Sequence, residues 1–424
     1  MIRGYSMTKP LALLGFAALL MGAAPPRSPE AVAEAALKAA PVFDGHNDVP
    51  EQLRERRKDV LENFDFRDTR GTGDAKAGVA AMMTDLTRMR AGKVGAQFWS
   101  VYVSANLTEP QAVLATLEQI DVTRRLIAKY PNDLQLCLDS ACVASAQKAG
   151  RIASLIGMEG GHSIGGSLSV LRQMHTLGAR YMTLTHFKNT AWAESGTDAP
   201  THGGLTAFGV KVVREMQRLG ILVDLAHVSE ATMADALATN GPPVIVSHSN
   251  ARAINNHARN ISDATLKRIS ANGGIVMVNF YPPYVVEAAR VWGAAREAEL
   301  VRFKALHRGD PAASDAALAA WGKANPMPRG SVKDVADHLD HIAKLIGADH
   351  VGLGGDLDGV DATVAGLEDA STYPALFVEL ARRGWSQADL EKLSSRNMLR
   401  VMKAAEAFAD THKNDPALEN ETSF

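Results

Sequence analysis

Seven polar residues of this sequence lie at the ends of short apolar stretches, where an unpaired charge or polar ring is costly. They are His46, Asp48, Glu159, His186, His227, His248 and Asp356. Neutral imidazole nitrogens and carboxylate oxygens are good ligands for zinc and related divalent ions. The set therefore predicts a metal site built from residues that are far apart in the chain.

The spacing of these residues suggests how they could share two ions. His46 and Asp48 are separated by one residue, so on an extended strand their side chains point to the same side and could hold one metal. His227 and His248 could hold a second ion, and the two carboxylate oxygens of Glu159 could bridge the pair. Two ions ~3.5–4 Å apart with a hydroxide between them form a hydrolytic centre.

Each residue also has a simpler explanation when it is taken alone. A histidine at a strand end is more often a structural residue than a ligand, and Glu159 could be a salt-bridged core carboxylate. If all of these simpler explanations held, ligand-type residues would occur at the ends of most strands by chance. The combined pattern therefore favours a metal centre.

The elements that must position these residues are eight short apolar stretches. They span residues 41–48, 96–104, 152–160, 180–187, 221–228, 243–250, 274–281 and 350–358. Such stretches are typical of strands buried on both faces of a parallel sheet. Apolar residues at helical spacing lie between them, at residues 111–130, 167–177, 207–219 and 332–346. We therefore predict an α/β fold, a (β/α)8 TIM barrel with long βα-loop insertions and one active-site face.

The predicted barrel is a single domain over residues 41–405. Residues 50–78 are polar, and we expect a long loop after the first strand. Residues 282–329 form an insertion with helical stretches around 288–306 and 310–324. We expect residues 406–424 to be a polar, frayed C-terminal tail.

The first residues of the chain resemble a secretory signal. Arg3 and Lys9 precede an apolar run at residues 11–24 that ends in small residues. This run is shorter than the ~20 residues that a spanning helix needs, and no second run follows. We expect a signal peptide over residues 1–24, a periplasmic or secreted protein, and no transmembrane segment in the mature chain. The alternative is an uncleaved apolar anchor.

The composition excludes several classes of protein. With 45 basic and 47 acidic residues, the formal net charge is −2, which argues against a nucleic-acid binder. A hydrophobic content of 46% at such a small net charge excludes a disordered chain. Cys137 and Cys142 are too few for a disulfide scaffold. An exported protein could oxidise them, but a strand-to-helix turn would have to bring their sulfurs together, so we expect two unpaired buried cysteines.

The motifs as a group resemble the membrane (renal) dipeptidase family of amidohydrolase-like binuclear zinc metallopeptidases. The matching stretches are DGHNDVP, LIGMEGGHS, YMTLTHFKNTAWAES, GILVDLAHVS, PVIVSHSNARAINNHARNISD, GIVMVNFY and DHVGLGGDLDGV. They occur in the family's order and cover about residues 41–360.

The resemblance implies a role for each residue. His46 and Asp48 would bind one zinc ion, His227 and His248 the other, and Glu159 both. By the same resemblance, His186 would face the substrate and its tetrahedral intermediate, and Asp356 would be the catalytic acid and base. Arg259 would hold the substrate's C-terminal carboxylate, and Tyr284 would line the pocket. Without the resemblance, a surface ion pair would be the preferred explanation of Arg259.

The resemblance implies hydrolysis of dipeptides, including those with a C-terminal D-residue, and it is consistent with a homodimer. One departure concerns the substrate: Glu51 follows DGHNDVP where relatives of the mammalian enzyme have an aromatic residue. An acidic residue there could change which N-terminal side chain is preferred. The alternatives are a related amidohydrolase acting on N-acyl amino acids or β-lactams, and a metal-stabilised binding protein without turnover. A binding protein has no need of Asp356 and His186.

Overall fold

The computed structural model describes residues 1–2, 4, 27–74 and 78–420. The predicted signal peptide, residues 1–24, lies outside the described residues except for residues 1, 2 and 4. No helix among the described residues is both long enough and apolar enough to cross a membrane.

Parallel strands form the centre of the molecule. The strands are β1 (Val42–Asn47), β2 (Val94–Tyr102), β3 (Leu134–Leu136), β4 (Ile152–Glu159), β5 (Ala179–Thr183), β6 (Leu222–Asp224), β7 (Ile245–Val246), β8 (Ile275–Val278) and β9 (Val351–Leu353). β1 pairs with β2 and with β9, β2 pairs with β4, and the others pair in chain order from β4 to β9. These pairings close a ring of eight strands, so the structure confirms the predicted (β/α)8 barrel.

Each of the eight predicted stretches overlaps one strand of the ring, and β3 is an additional ninth strand. It pairs with Ile152–Ser154 at the beginning of β4. On the same edge of β4, β5 pairs with the residues from Ile156 onward. β3 therefore extends the sheet without opening the barrel.

Helices surround the strands. They are α1 (Pro29–Ala39), α2 (Val49–Arg57), α3 (Leu86–Ala91), α4 (Glu109–Lys129), α5 (Ser140–Lys148), α6 (Leu168–Leu177), α7 (Ala207–Leu219), α8 (Glu230–Ala238), α9 (Asp263–Ala271), α10 (Pro282–Val285), α11 (Glu287–Leu306), α12 (Pro311–Ala324), α13 (Val332–Ile346), α14 (Tyr373–Arg382), α15 (Gln387–Glu391) and α16 (Asn397–His412). Short 3-10 turns occur at Arg70–Thr72, Gly161–Ile164 and Ala348–His350, and a π turn at Lys392–Arg396 precedes α16. The insertion before α13 consists of α10, α11 and α12, as its helical pattern predicts.

Apolar side chains fill the inside of the barrel. Phe43, Phe98, Tyr181 and Met277 belong to one buried cluster, which also includes Met402 of α16. Because this core occupies the barrel below the strand ends, the polar residues that follow the strands lie together at its C-terminal face.

Two expectations about the chain outside the barrel strands need correction. Residues 50–78 are not only a loop, because α2 begins the segment and buries Val49 and Leu53. Residues 406–420 are not a frayed tail, because α16 continues to His412. Beyond it, the Leu418 amide donates to Glu215 Oε2 at 3.2 Å, and the Leu418 carbonyl accepts from Arg172 at 2.9 Å.

The expectation of two unpaired cysteines is wrong, because Cys137 and Cys142 form a disulfide. β3 ends one residue before Cys137, and α5 begins at Ser140. The turn between them brings the two Cα atoms to 5.3 Å, within the range that a disulfide spans.

Candidate metal centre and active site

The strands and the loops that follow them deliver the predicted site residues to one place. His46 lies in β1 and Asp48 directly follows it, while Glu159 is the last residue of β4. The remaining four are in the loops after β5, β6, β7 and β9: His186, His227, His248 and Asp356. All seven are buried. The structure therefore brings together all of the strand-end residues that the sequence singled out.

Glu159 lies at the centre of this cluster. Its Oε1 atom is 3.0 Å from His227 Nε2 and 3.4 Å from His248 Nε2, and its Oε2 atom is 3.3 Å from His46 Nε2. The Nε2 atoms of His227 and His248 are only 2.9 Å apart. The two oxygens of one carboxylate thus face imidazoles from different sides of the barrel.

A further pair of carboxylates lies beside His46. Asp48 Oδ2 is 3.3 Å and Asp356 Oδ1 is 4.0 Å from His46 Nε2. Potential ligand atoms within 4.8 Å of one another form three sets: His46, Glu159 and His248; Glu159, His186 and His227; and His46, Asp48 and Asp356. Because His46 and Glu159 each belong to two sets, the three sets make one continuous cluster.

The protonation and hydrogen bonding of this cluster fit a divalent cation. His46 Nε2 and both carboxylate oxygens of Asp48 are buried without a hydrogen bond to a described residue. Burial lowers the pKa of His227 and of His248 well below the usual value, so both rings are neutral. Burial alone would raise the pKa of Glu159, but the neighbouring histidines lower it well below its usual range. The neutral rings of His227 and His248 beside the ionised Glu159 are donors that suit zinc, whereas nearby charges raise the pKa of His46 well above its usual value.

Two of the imidazoles have further polar contacts at their Nδ1 atoms. The residues that make these contacts were not among the predicted site residues. The ring nitrogen Nδ1 of His46 is 2.8 Å from Tyr181 Oη. Nδ1 of His248 is 2.8 Å from Ser247 Oγ, which itself donates to Asp224 Oδ2 at 2.7 Å. The hydroxyl of Ser247 therefore accepts from Nδ1–H of His248, which leaves Nε2 with a free lone pair. Partners of this kind fix the orientation of metal ligands.

Asp356 is held in an unusual backbone conformation, with φ at 59°. Its amide donates to the His46 carbonyl at 3.2 Å, and its Oδ2 accepts from Asn279 Nδ2 at 2.7 Å. Burial raises the pKa of Asp356 well above the usual value of a carboxyl group. The side chain is therefore fixed at one oxygen and able to carry a proton beside the cluster.

Gly359 is packed against the same carboxylates. A Cβ at this position would lie 2.5 Å from Asp356 Oδ1 and closer still to Asp48 Oδ2, nearer than real Cβ atoms come. A side chain larger than hydrogen would therefore displace the carboxylates from their positions.

His186 borders the cluster on the β5 side. Its Nε2 atom is 3.7 Å from Glu159 Oε1, and its ring centroid is 4.3 Å from that of His227. Burial lowers the pKa of His186 to about 4, so the ring is neutral, and Nδ1 forms no hydrogen bond with a described residue. This position is compatible with the expected contact to substrate, and it is also close enough for a metal ligand.

Arg259 is a buried residue and does not lie on the surface. It is 3% exposed and forms no ion pair with any described residue. Nη1 donates to Ser249 Oγ at 3.1 Å and Nη2 to the His248 carbonyl at 3.3 Å, whereas Nε has no described partner. The guanidinium carbon is 5.3 Å from the ring centroid of Tyr284, which packs over it. A buried cation with donors to spare can bind an anionic group.

One cavity of about 390 Å³ connects these groups. Every predicted site residue except His46 lines it, and so do Glu51, Tyr102, Phe187 and Tyr281. Burial, together with Asp48 and Glu55, raises the pKa of Glu51 to about 9. The cavity therefore combines a candidate metal centre, a carboxyl group with a raised pKa and a buried cation, and Glu51 forms part of its wall.

Comparison with known proteins places the chain in a family. The model of the membrane dipeptidase family, peptidase family M19, matches residues 30–416. Dipeptidase 3 of Macaca fascicularis is 38% identical over 397 residues, which cover 92% of this chain and 70% of that protein.

Solved structures share the fold at lower sequence identity. The probable dipeptidase PvdM from Pseudomonas aeruginosa superposes with a TM-score of 0.76 at 22% identity, covering 90% of this chain and 99% of that one. A metallopeptidase from Rhodobacter sphaeroides, liganded with a phosphinate mimic of the dipeptide L-Ala-D-Ala, gives 0.69 at 23% identity, covering 86% and 99%. With the family match and the 38% identical relative, the chain belongs to the membrane dipeptidase family of metallo-dipeptidases, which are hydrolases.

Proposed function

We propose that this protein hydrolyses dipeptides at a centre that holds two zinc ions. The observation that carries the proposal is the single cavity in which the cluster around Glu159, the carboxyl of Asp356 and the guanidinium of Arg259 meet. Those groups are a metal site, a proton carrier and a carboxylate receptor, the three parts that cleavage of a short peptide requires.

The chain positions and the distances support the proposed ligand assignment. His46 and Asp48 would hold one ion, His227 and His248 the other, and Glu159 lies between the two pairs. Zinc, when bound, would polarise the scissile carbonyl and lower the pKa of water.

Asp356 would move the protons. Its Oδ2 atom is held by Asn279, so Oδ1 faces the cluster and can take a proton from the attacking water. The raised pKa of this buried carboxyl lets it keep that proton until the leaving amine accepts it. His186, a neutral imidazole on the other side of Glu159, can donate an N–H hydrogen bond to the developing oxyanion.

Arg259 would select the length of the substrate. Its planar fork can bind a carboxylate through two hydrogen bonds, with Tyr284 stacked over it. Because the buried guanidinium adjoins His248, it would fix a free C-terminus one residue beyond the metals. Dipeptides fit this arrangement and longer chains do not.

The test compares the free acid of Ala-Ala with its C-terminal amide and with N-acetyl-alanine, using purified protein of measured zinc content. We expect two zinc ions per chain, cleavage of the free dipeptide, loss of activity with a chelator, and recovery with zinc. Equal cleavage of the amide would refute the role of Arg259. Cleavage of N-acetyl-alanine or a β-lactam, with no cleavage of dipeptides, would favour the related amidohydrolase, and metal binding without any turnover would favour a binding protein.

Stereochemistry at the C-terminal residue is part of the proposal. The Rhodobacter structure holds a mimic of L-Ala-D-Ala, and its fold is that of this chain. We propose that this protein also accepts a C-terminal D-residue, and a comparison of L-Ala-D-Ala with L-Ala-L-Ala measures it. Activity on the L,L isomer alone would contradict this part and leave the dipeptidase itself intact.

We also propose that the protein acts outside the cytoplasm, after removal of residues 1–24. The positive residues and the apolar run at the N-terminus support this, and a disulfide is typical of an oxidising compartment. N-terminal sequencing of the protein from a periplasmic or culture fraction tests it, and an intact residue 1 in the cytoplasmic fraction would contradict it. Light scattering on the same sample decides between a monomer and the homodimer that the resemblance allows.

A further inference from the structure

A second cavity, of about 720 Å³, adjoins the candidate active site. Glu51, Gly359, Val360 and Asp361 line both cavities, so they form the boundary between the two. A substrate bound beside the metal ligands could therefore extend a side chain past Glu51 into this second space.

The position of the second cavity relative to Arg259 indicates which part of a dipeptide would enter it. Arg259 follows β7, whereas Glu51 follows β1 and Asp361 follows β9, and β7 is three strands from β1 in the closed ring. If Arg259 holds the C-terminal carboxylate, the N-terminal residue points toward the side of β1 and β9. The occupant of the second cavity would then be the side chain of the N-terminal residue.

Carboxyl groups are the main titratable groups around this boundary. Glu51, Glu55 and Asp361 form no hydrogen bond or ion pair with a described residue, although all three line the second cavity. Asp358 also lines it; it is 4% exposed, and its Oδ2 atom is buried without a hydrogen bond. No described basic side chain forms an ion pair with these carboxyl groups. Burial and the nearby carboxylates raise the pKa of Glu51 to about 9, and a cation bound beside it would favour the ionised form.

Arg56, the basic residue among the described residues that line the second cavity, has other partners. Arg56 donates to Gln52 Oε1 at 2.5 Å, to the Ala80 carbonyl at 2.7 Å and to the Thr72 carbonyl at 3.3 Å. Its guanidinium thus braces the loop around the cavity and forms no ion pair with the acidic residues. A ligand that brings its own positive charge would supply the missing partner.

We propose, on the basis of the proposed dipeptidase function, that Glu51 and Asp361 select dipeptides whose N-terminal residue carries a cationic side chain, lysine or arginine. Two carboxylates near one ammonium or guanidinium favour the cation over a neutral side chain of equal length. In a partly desolvated cavity this preference amounts to about tenfold or more.

The experiment measures kcat/KM for Lys-Ala and for norleucine-Ala, because norleucine has almost the same length without the charge. We expect the wild-type ratio to be at least about tenfold in favour of Lys-Ala and to decline as salt is added. Glu51→Gln and Asp361→Asn should each lower the ratio by about threefold or more, and the double variant should bring it near one. The control is Glu62→Gln, which removes the same charge from an exposed residue outside both cavities and should leave the ratio unchanged.

The ratio separates this inference from the proposed function. Cleavage of both dipeptides at similar rates by the wild type would overturn the cationic preference and leave the dipeptidase standing. A wild-type preference that survives in the double variant would remove Glu51 and Asp361 as its cause. Failure to cleave either dipeptide would refute the proposed function itself, and the inference with it.

Discussion

Replacing Gly359 by alanine tests the metal centre with one methyl group. The residue has no side chain, and its backbone is not in the left-handed region, so alanine is compatible with its φ angle. The new Cβ would lie 2.5 Å from Asp356 Oδ1 and closer to Asp48 Oδ2, whereas ordinary contacts begin at 3.4 Å. Each carboxylate must therefore move by about 1 Å, and a displacement of that size costs about 100-fold in rate.

We expect Gly359→Ala to fold and to lose both zinc and activity. Asp48 has no described hydrogen bond that would restrain its carboxylate, so the displacement falls on a proposed ligand. The assay combines the zinc content after dialysis against a weak chelator with kcat/KM for a dipeptide. The expected result is less than two zinc ions per chain and kcat/KM lower by about 100-fold.

Gly293→Ala is the matched control, because Gly293 lies in α11 and a Cβ there meets nothing within 4 Å. It should keep the zinc and the activity, and it should gain about 0.5–1 kcal/mol in the free energy of unfolding. If Gly359→Ala retained its zinc and its kcat/KM stayed within threefold of the wild type, the close approach to the two carboxylates would not be part of the metal centre.

Three further predictions address the groups around the site. Asp356→Asn should keep its zinc while kcat falls by about 100-fold to 10,000-fold, and equal activity would remove this carboxyl from the mechanism. Asp224→Asn weakens the hydrogen bonds that link Asp224 to His248 through Ser247. Zinc affinity, measured by chelator competition, should therefore fall by about 10-fold to 100-fold, and unchanged affinity would contradict this link. His338 is buried with both nitrogens hydrogen-bonded, Nδ1 accepting from the Ala251 amide, and burial lowers its pKa to about 4. Since the unfolded ring binds a proton near pH 6.5, stability is lost as the pH falls from about 6.5 toward 4, by roughly 2 kcal/mol at pH 5 from this residue. Unfolding experiments on the wild type and His338→Gln measure it, and an equal pH dependence in both would refute it.

The sequence predicts the barrel well because its strands are apolar on both faces. Each of the eight predicted stretches overlaps one strand of the ring, and α7 has the predicted bounds. α2 was missed because it is polar and buries only Val49, Pro50 and Leu53, so no apolar periodicity marks it. The disulfide was missed because the geometry of the turn between β3 and α5 decides whether the sulfurs meet, and spacing alone does not specify it.

The site was partly predictable for a related reason. Ligand-type residues at strand ends stand out, and the barrel brings strand ends together. The residues that support the ligands are harder to identify from the sequence. Asp224 and Ser247 could have been noticed, because they are polar residues inside apolar stretches. Asp224 pairs with Ile245 across β6 and β7, and this register places its carboxylate beside Ser247. Register between strands is a property of the folded sheet, so the sequence does not specify the contact.

The distribution of the ligand residues over the ring has a consequence for folding. His46 lies in β1, His248 follows β7, and Glu159 lies between them in the chain. Ions held by these proposed ligands would act as cross-links over about 200 residues of chain, because an unfolded chain offers no such assembled site. By mass action, the free energy of unfolding would then rise with the concentration of free metal, by about 3 kcal/mol for each ion present at 100 times its dissociation constant. The supply of metal in the surroundings would thus help to set the folded fraction of the protein.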